Sequence, residues 1–425
     1  MDRTQAPETH PLSDIDLQIP QQEHLSNGIP LFILQNEQLD LIHFVICIKA
    51  GILHETIKHT AQFSYALLKE SSPQHTATEI ADIFDYYGTN FSTSINLDHI
   101  RINFSTPKNN VCKILPTIYE FLANPHYREE NLSIYKNLKI KDLEYNAQKT
   151  DVQATRLMLH AMFGDEHTAG QFSTRENLQS VSIQQMKAFH HQTFVAENAS
   201  IFVTGNLDAE IKHSIHATFE QIPHGVAVPE IKSIAMPVDK SPIITQVIPN
   251  SVQSSIVLCM PAMGYNDPDR CDFATLSTIT GGYFGSRLMQ NLRERNGYTY
   301  GISSGLAYFG NQSLFVISSD VNINQTKAAL DACFEELQRL QDEDISDAEL
   351  ENAKSYILGD QIRDLDNSVS ILKRHIGWNH FNTDEREFHN IIEHVKAIDA
   401  NRIKNLSKKY FERNKFTQII VGDLR

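Results

Sequence analysis

Residues 190–207 read HHQTFVAENASIFVTGNL, and residues 407–424 read SKKYFERNKFTQIIVGDL. The two segments align without a gap at a constant offset of 217 positions, from 190 to 407, and Gly205 meets Gly422 in the alignment. Each segment predicts the end of a helix, a turn and a short β-branched strand that runs into glycine. Solenoid repeats have periods of about 20–50 residues. The much longer period here predicts a duplicated domain.

A proline-rich stretch separates the two copies. Five of the 15 prolines lie between residues 223 and 249, where no helical period is visible. The sequence therefore predicts an N-terminal domain over residues 1–222, a linker over 223–249 and a C-terminal domain over 250–425. A chain of 425 residues is long enough for two or three domains of about 150 residues each.

Strands and helices alternate in both halves. Phe44, Ile46 and Ile48 alternate with Val45 and Cys47, which predicts a strand buried on both faces. Residues 255–260 and 314–318 predict strands in the second half, and residues 328–340 predict an amphipathic helix. Helix-capping patterns begin at residues 76, 182 and 346. We expect an α+β fold of two homologous α/β sandwiches, each an antiparallel sheet with helices on one side.

Composition excludes several classes of protein. The 37 Lys and Arg against 52 Asp and Glu give a net charge of −15, so nucleic acid and anionic membranes are poor partners. The longest apolar run, residues 41–53, is too short to span a bilayer. The polar start of the chain lacks the apolar core of a signal peptide, which predicts a cytoplasmic protein. Five cysteines without a C-x-x-C pair predict reduced thiols.

Neither helical zinc-peptidase motif occurs in the chain. H-E-x-x-H would need His at position 58, which holds Lys58. The inverted H-x-x-E-H would need His at positions that hold Pro20, Phe163 and Asn390.

The first half nevertheless resembles a family built around such a motif. Residues 50–72, AGILHETIKHTAQFSYALLKESS, are similar to the opening of the insulinase/pitrilysin family of inverzincin peptidases, whose active members carry Gly-x-Ala-His-Phe-x-Glu-His. By this resemblance, Gln62 stands at the first His position, Tyr65 at the catalytic Glu position and Ala66 at the second His position. Glu144 falls near the position of the distal carboxylate ligand. Zinc takes three or four protein ligands, so this set cannot hold it and we expect no metal here.

Two interpretations of the altered helix stay open. Gln62, Tyr65 and Ala66 share one helix face, which could present an amide and a phenol to a cleft that binds without cutting. Alternatively, they only fill the space of the missing ligands. Glu144, on a charged helix, is interpreted as a solvated residue.

The second half keeps the family signature. Residues 281–301, GGYFGSRLMQNLRERNGYTYG, resemble the glycine-rich turn and Leu-Arg-Glu helix of the family. Arg293 and Tyr300 match its paired Arg and Tyr, which by this resemblance hold substrate carbonyls and donate to the oxyanion at the zinc site. No Lys-Ser/Thr follows the glycines, so we expect close backbone packing rather than a phosphate loop.

Other histidines form no recognisable site. His213 and His216 lie three positions apart on a helix whose apolar face points elsewhere, which predicts a solvated pair. His375 and His380 bracket Trp378, and no third ligand is apparent for them.

The resemblance implies half of a clamshell. Bacterial two-chain members of the family pair a zinc-bearing subunit with one that keeps Arg and Tyr but lacks the metal motif, and this sequence fits the second role. We therefore expect a non-catalytic subunit with no cofactor of its own, a zinc-bearing paralogue as partner and a peptide as substrate. A hydrolysis-free peptide-binding or structural protein of the same fold is the alternative. An autonomous zinc peptidase would need ligands that the sequence does not show.

Overall fold

The computed structural model describes residues 17–70, 72–231, 236, 242–310 and 312–423. Most of the polar N-terminus, Pro237 of the predicted linker and Leu424 at the end of the repeat lie outside these residues.

The first half contains six strands and eight α-helices among the described residues. They are β1 (Gln21–His24), β2 (Pro30–Gln35), β3 (Leu41–Ile48), α1 (Thr60–Ala66), α2 (Ala77–Tyr87), β4 (Asn90–Ile95), β5 (Ile100–Pro107), α3 (Val111–Ala123), α4 (Glu129–Asn146), α5 (Thr150–Phe163), α6 (Arg175–Ser180), α7 (Ile183–Thr193), β6 (Ala199–Gly205) and α8 (Ala209–Phe219).

The second half repeats the pattern, with two π-helical turns at Thr278–Gly282 and Met289–Arg295. Its elements are β7 (Ile243–Val247), β8 (Gln253–Ala262), α9 (Arg270–Ser277), β9 (Thr299–Phe309), β10 (Gln312–Asn322), α10 (Thr326–Asp342), α11 (Asp347–Arg363), α12 (Ser368–His380), α13 (Arg386–Ala397), α14 (Ala400–Tyr410) and β11 (Thr417–Gly422).

The two sheets have the same strand order. The first runs β1-β2-β6-β3-β5-β4 and the second β7-β11-β8-β10-β9, so the second reproduces the first without β1. The repeated segments are the strands β6 and β11, each parallel to one neighbour and antiparallel to the other. The predicted α+β class with two homologous sheets is confirmed, although each sheet contains one parallel pair.

Strand β3 is buried on one face and half-buried on the other, close to the largely buried strand that its alternation predicts. Phe44, Ile46 and Ile48 belong to the main core of the first half, packed under α1, α2, α3 and α8. Val45 and Cys47 point to the opposite face, where they contact a separate apolar cluster.

That opposite face is covered by a helix from the other half. Ile371, Leu372 and Ile376 of α12 pack on Phe202 and Leu34 of the first sheet. In the same way, α5 of the first half packs on the second sheet. The contact is an apolar cluster of side chains from α5 and from strands β8, β10 and β11: Ala154, Met158, Met162, Phe163, Val257, Cys259, Leu314, Ile419 and Val421. The helices therefore do not lie on one side only, because each half lends a helix to the outer face of the other.

The predicted linker is too long at its C-terminal end. Residues 243–247 form β7, which pairs in parallel with β11. Pro242 and Pro249 flank this β-branched run, and such flanking prolines are typical of a linker. Proline is nevertheless tolerated beside an edge strand.

The predicted caps and elements of the described residues are otherwise present. Thr76 and Ser182 form reciprocal capping boxes with Glu79 and Gln185, and Ser346 caps α11. The five cysteines are free thiols, two of them buried. No helix in the described part of the chain is both long and apolar enough to cross a membrane.

Candidate functional site

The N-terminus of helix α1, the helix that resembles the zinc-motif helix of the family, contacts a half-buried carboxylate. Glu55 accepts hydrogen bonds from the backbone N–H of His59 at 2.9 Å and of Ala61 at 2.7 Å. An acid at a helix N-terminus satisfies backbone donors that have no partner within the helix. Burial raises the pKa of Glu55 to about 7, although these hydrogen bonds act in the opposite direction.

By the resemblance to the family motif, His59 stands at the position of its glycine. Its φ of 71° lies in the left-handed region, which glycine adopts without strain. Its Nε2 atom is buried and has no hydrogen-bond partner. Burial, together with the nearby Lys58 ammonium, lowers the pKa of His59 to about 4, so the imidazole is neutral at physiological pH.

Tyr65 faces the core. Its side chain is fully buried, packs edge-on against Phe189, and its hydroxyl lies 2.9 Å from Oγ1 of Thr193. Burial raises the pKa of this phenol above its usual value. The interpretation in which Tyr65 presents its phenol to a cleft is therefore wrong, and space-filling is the role that its packing supports.

The other positions of the altered motif do not form a site with Tyr65. Gln62 and Ala66 are half-buried on α1. Glu144 lies on α4 with 61% of its side chain exposed, and its Oε1 accepts a hydrogen bond from Arg175 at 2.9 Å. This is the environment of a solvated residue. An amide, a methyl group and an exposed, paired carboxylate give zinc no adequate ligand set.

The glycine-rich signature of the second half is shaped by close backbone contacts. A Cβ added at Gly281 would lie 3.0 Å from the backbone nitrogen of Ser304, and one at Gly285 would lie 2.6 Å from the ring of Tyr283. The prediction that these glycines serve packing is confirmed. Arg287 is anchored here as well, by a two-pronged ion pair to Glu349 at 2.8 and 3.2 Å.

Arg293 and Tyr300, in the C-terminal part of this signature, lie at the surface. Arg293 lies in the second π-helical turn, a conformation frequent at functional sites, and its guanidinium stacks over Phe284 at 5.0 Å. It pairs loosely with its neighbour Glu294 at 3.4 Å. Tyr300, at the start of edge strand β9, is 90% exposed. Both side chains can therefore be reached by a molecule outside the chain.

A cluster that the sequence did not reveal lies elsewhere. Asp98, His99 and His380 offer ligand atoms within 4.8 Å of one another, a grouping found at no other place in the described part of the chain. The Nδ1 atom of His99 lies 2.7 Å from Oδ1 of Asp98, and Nε2 of His380 lies 3.3 Å from Oδ2. Burial acts to raise the pKa of Asp98, but the hydrogen bonds from His380 and His99 prevail and hold it below its usual range.

The cluster borders a cavity of about 390 Å³. This cavity lies between the outer face of the first sheet, the end of α12 and the start of the predicted linker. Its lining includes the cluster and six further charged or titratable side chains: Cys47, Lys49, His54, Arg101, Glu197 and Glu230.

Comparison with known proteins finds similar chains among M16 peptidases. The family model described as "Peptidase M16 inactive domain" matches residues 180–357. An uncharacterized zinc protease, YmxG of Bacillus subtilis, is 21% identical over 398 residues, which cover 91% of this chain and 94% of that protein. The resemblance to the insulinase/pitrilysin peptidases is confirmed, and residues 180–357 are similar to the domain that this family model describes as inactive.

Solved structures support the same fold over nearly the whole chain. The crystal structure of a peptidase M16 inactive domain from Pseudomonas fluorescens superposes with a TM-score of 0.86 and 21% identity, covering 95% of this chain and 97% of that one. A chain of complex III2 from Candida albicans superposes with a TM-score of 0.76 and 16% identity, covering 95% and 97%.

Proposed function

We propose that this chain is the non-catalytic subunit of a two-chain insulinase-like peptidase. In this role it pairs with a zinc-bearing paralogue, and the two clamshell halves enclose a peptide. Arg293 and Tyr300 reach the partner's metal site, whereas α1 contributes no ligand. Zinc is then a cofactor of the partner, and the peptide bond is cut there.

The contrast between the two family motifs in this chain carries the proposal. The position of the catalytic Glu is taken by Tyr65, which is sealed in the core, while Tyr300 is 90% exposed. A phenol and a guanidinium kept at the surface without a strong internal partner are available to a second polypeptide. Buried anchors such as Arg287 are not.

The chemistry that this pair can supply follows from its donor groups. The Arg293 guanidinium presents a planar fork of N–H donors, which matches the carbonyl oxygens of an extended peptide. The Tyr300 hydroxyl can donate to the oxygen that becomes negative when water attacks the scissile carbonyl. A single donor of that kind typically contributes about 10²–10³-fold in kcat.

Reconstitution with the zinc-bearing chain tests the role. The chain is co-expressed with the insulinase-like paralogue of the same organism that retains H-x-x-E-H, and hydrolysis of a quenched-fluorescent peptide library is measured. We expect hydrolysis only from the pair. Tyr300→Phe should lower kcat about 10²-fold, and Arg293→Ala should lower kcat/KM with a rise in KM.

A neighbouring arginine provides the control. Arg295 lies in the same π-helical turn and is exposed, so Arg295→Ala removes the same charge without touching the proposed pair. Its activity should equal that of the wild-type pair. If Arg293→Ala and Tyr300→Phe behave like Arg295→Ala, the proposed role is wrong.

A structural role without hydrolysis is the second candidate. The observation that favours it is the structural similarity to a chain of complex III2 from Candida albicans, at a TM-score of 0.76. Native purification followed by identification of the co-purifying chain separates the two candidates. A partner with an intact H-x-x-E-H supports the peptidase subunit, and a partner without it supports the structural role.

A further inference from the structure

Asp98, His99 and His380 form a cluster that the proposed peptidase role does not use. Asp98 and His99 occupy the tight connection between β4 and β5, and His380 is the last residue of α12. The imidazole rings of His99 and His380 lie 4.4 Å apart, and both face the same carboxylate. The side chains are only 16–21% exposed.

The helix exchange between the two halves is what brings these residues together. His380 reaches the first half because α12 crosses onto the outer face of the first sheet through Ile371, Leu372 and Ile376. The β9–β10 turn of the second half approaches from another side, since a Cβ at Gly310 would lie 3.9 Å from Oδ2 of Asp98. The cluster therefore exists only when the two halves are docked.

We propose that Asp98, His99 and His380 bind a divalent transition-metal ion, with Zn²⁺ as the first candidate, at a site separate from the altered motif on α1. Two imidazoles and one carboxylate are borderline donors that suit Zn²⁺ and its first-row neighbours better than Ca²⁺ or Mg²⁺. Three protein ligands with one position left open is the pattern of a zinc site that keeps a water or an exogenous ligand.

The distances between the histidine nitrogens and the carboxylate oxygens are close to those between the ligand atoms of a zinc site. Tetrahedral geometry at Zn–ligand distances near 2.1 Å puts neighbouring ligand atoms about 3.4 Å apart. The 3.3 Å contact between Nε2 of His380 and Oδ2 of Asp98 already has this spacing, and the 2.7 Å contact between Nδ1 of His99 and Oδ1 must lengthen. The two contacts use different oxygens of the carboxylate, so the carboxylate must shift for one oxygen to bind the ion beside both imidazoles. Binding then replaces the proton shared by His99 and Asp98 with the metal ion.

The cavity beside the cluster leaves room for a bound ion. The adjoining cavity of about 390 Å³ gives the open coordination position access to water or to a small carboxylate. Its lining carries the carboxylates of Asp98, Glu197 and Glu230 against the cations Lys49 and Arg101. With Asp98 counted as a ligand, the two remaining carboxylates balance these two cations, so the negative charge that attracts a dication is that of Asp98 itself.

Direct metal measurement on the full chain tests the site. The purified protein is stripped with a chelator and titrated with ZnCl₂, and the bound metal is counted by mass spectrometry after equilibrium dialysis. We expect about one Zn²⁺ per chain. Asp98→Asn, His99→Ala and His380→Ala should each weaken binding by about tenfold or more. Zn²⁺ should also raise the midpoint of thermal unfolding of the wild type but not of Asp98→Asn.

Two histidine variants serve as matched controls. His54 lines the same cavity outside the cluster, and His389 is exposed on α13, so His54→Ala and His389→Ala should bind Zn²⁺ as the wild type does. Circular dichroism verifies that each variant is folded, and Asp98→Asn keeps the shape of the side chain. A wild type that binds no Zn²⁺, or cluster variants that bind it unchanged, would overturn the proposal. Arg293 and Tyr300 take no part in this site, so either result leaves the peptidase role to its own test.

Discussion

The hydroxyl of Tyr65 lies 2.9 Å from Oγ1 of Thr193, which joins α1 to α7 inside the core of the first half. Thr193 in turn donates to the carbonyl oxygen of Phe189 at 2.8 Å. The helix position that corresponds to a catalytic carboxylate in active relatives is therefore part of an internal hydrogen-bond chain. Restoring a carboxylate there would place a charge where water cannot reach it.

We expect Tyr65→Glu to destabilise the chain by at least about 3 kcal/mol, because it removes a large buried ring and buries a carboxylate without a partner. Urea unfolding followed by circular dichroism measures the change. Gln62→Glu on the half-buried side of α1 is the matched control, with an expected loss of about 1 kcal/mol or less. Equal losses in the two variants would contradict the assignment of Tyr65 to the core.

The left-handed backbone and the lowered pKa of His59 together predict how the stability of the chain depends on pH. The pKa of His59 is about 4 in the folded chain, below the usual value of 6.5. Between these two pH values the imidazole is therefore protonated in the unfolded chain and neutral in the folded chain. Stability from this residue is present above pH 6.5 and is lost as pH falls through about 4. We expect His59→Gly to relieve backbone strain at pH 8 and to gain a further stabilisation on the order of 1 kcal/mol at pH 5.

Asn250→Gly is the control for His59→Gly, because Asn250 has a similar φ of 64° but is exposed and does not titrate. Its effect on the free energy of unfolding should be the same at pH 5 and pH 8. The prediction fails if His59→Gly shows no more pH dependence than Asn250→Gly.

Substitution by Ala at two arginines of the glycine-rich signature should change the stability of the chain to very different extents. Arg293→Ala should change the stability of the isolated chain by less than about 0.5 kcal/mol, because the side chain is partly solvated and its pairing with Glu294 is loose. Arg287→Ala should cost about 2 kcal/mol or more, because it leaves Glu349 without its two-pronged partner in a mostly buried place. Thermal unfolding compares them, and a marked loss with Arg293→Ala would assign that residue a structural role.

The exchange of α5 and α12 predicts that neither half folds well alone. Residues 1–231 without α12 expose Phe202 and its apolar neighbours on the outer face of the first sheet. We expect this fragment to aggregate when expressed alone and to be recovered in soluble form when co-expressed with residues 242–425.

Leu372→Asp in the second fragment should abolish the rescue, because Leu372 is almost fully buried against the first sheet. Lys373→Asp, on the exposed side of the same helix, should preserve it. A first fragment that is soluble and monomeric by itself would refute the idea that the halves depend on each other.

The sequence predicts the local structure well and the pairing between distant parts poorly. The repeat and the alternation around Phe44 predict two similar sheets, because strand periodicity is a property of a few neighbouring residues. Periodicity does not reveal that Leu372 packs against the first sheet, because an apolar helix face does not specify its partner. The strand at 243–247 was missed because prolines at both ends resemble a linker.

The sites show the same limit. The altered motif could be recognised on α1, but the inward direction of Tyr65 depends on Thr193, which lies 128 positions further along the chain. His380 was visible only as one of a pair beside Trp378, since its partners Asp98 and His99 lie in the other half. The dipeptide of Asp98 and His99 is the one local signal in the sequence, and such a dipeptide is too common to be specific.

The crossing of α12 onto the first sheet has a consequence for how the protein is made. Translation proceeds at about 5–20 residues per second, so the ribosome needs roughly 10–35 s to pass from Gly205, the end of β6, to His380, the end of α12. During that interval the nascent first half has a bare apolar flank around Phe202. Chaperones that hold emerging chains should therefore engage this polypeptide before release, and slowing translation of its second half should increase the yield of misassembled product.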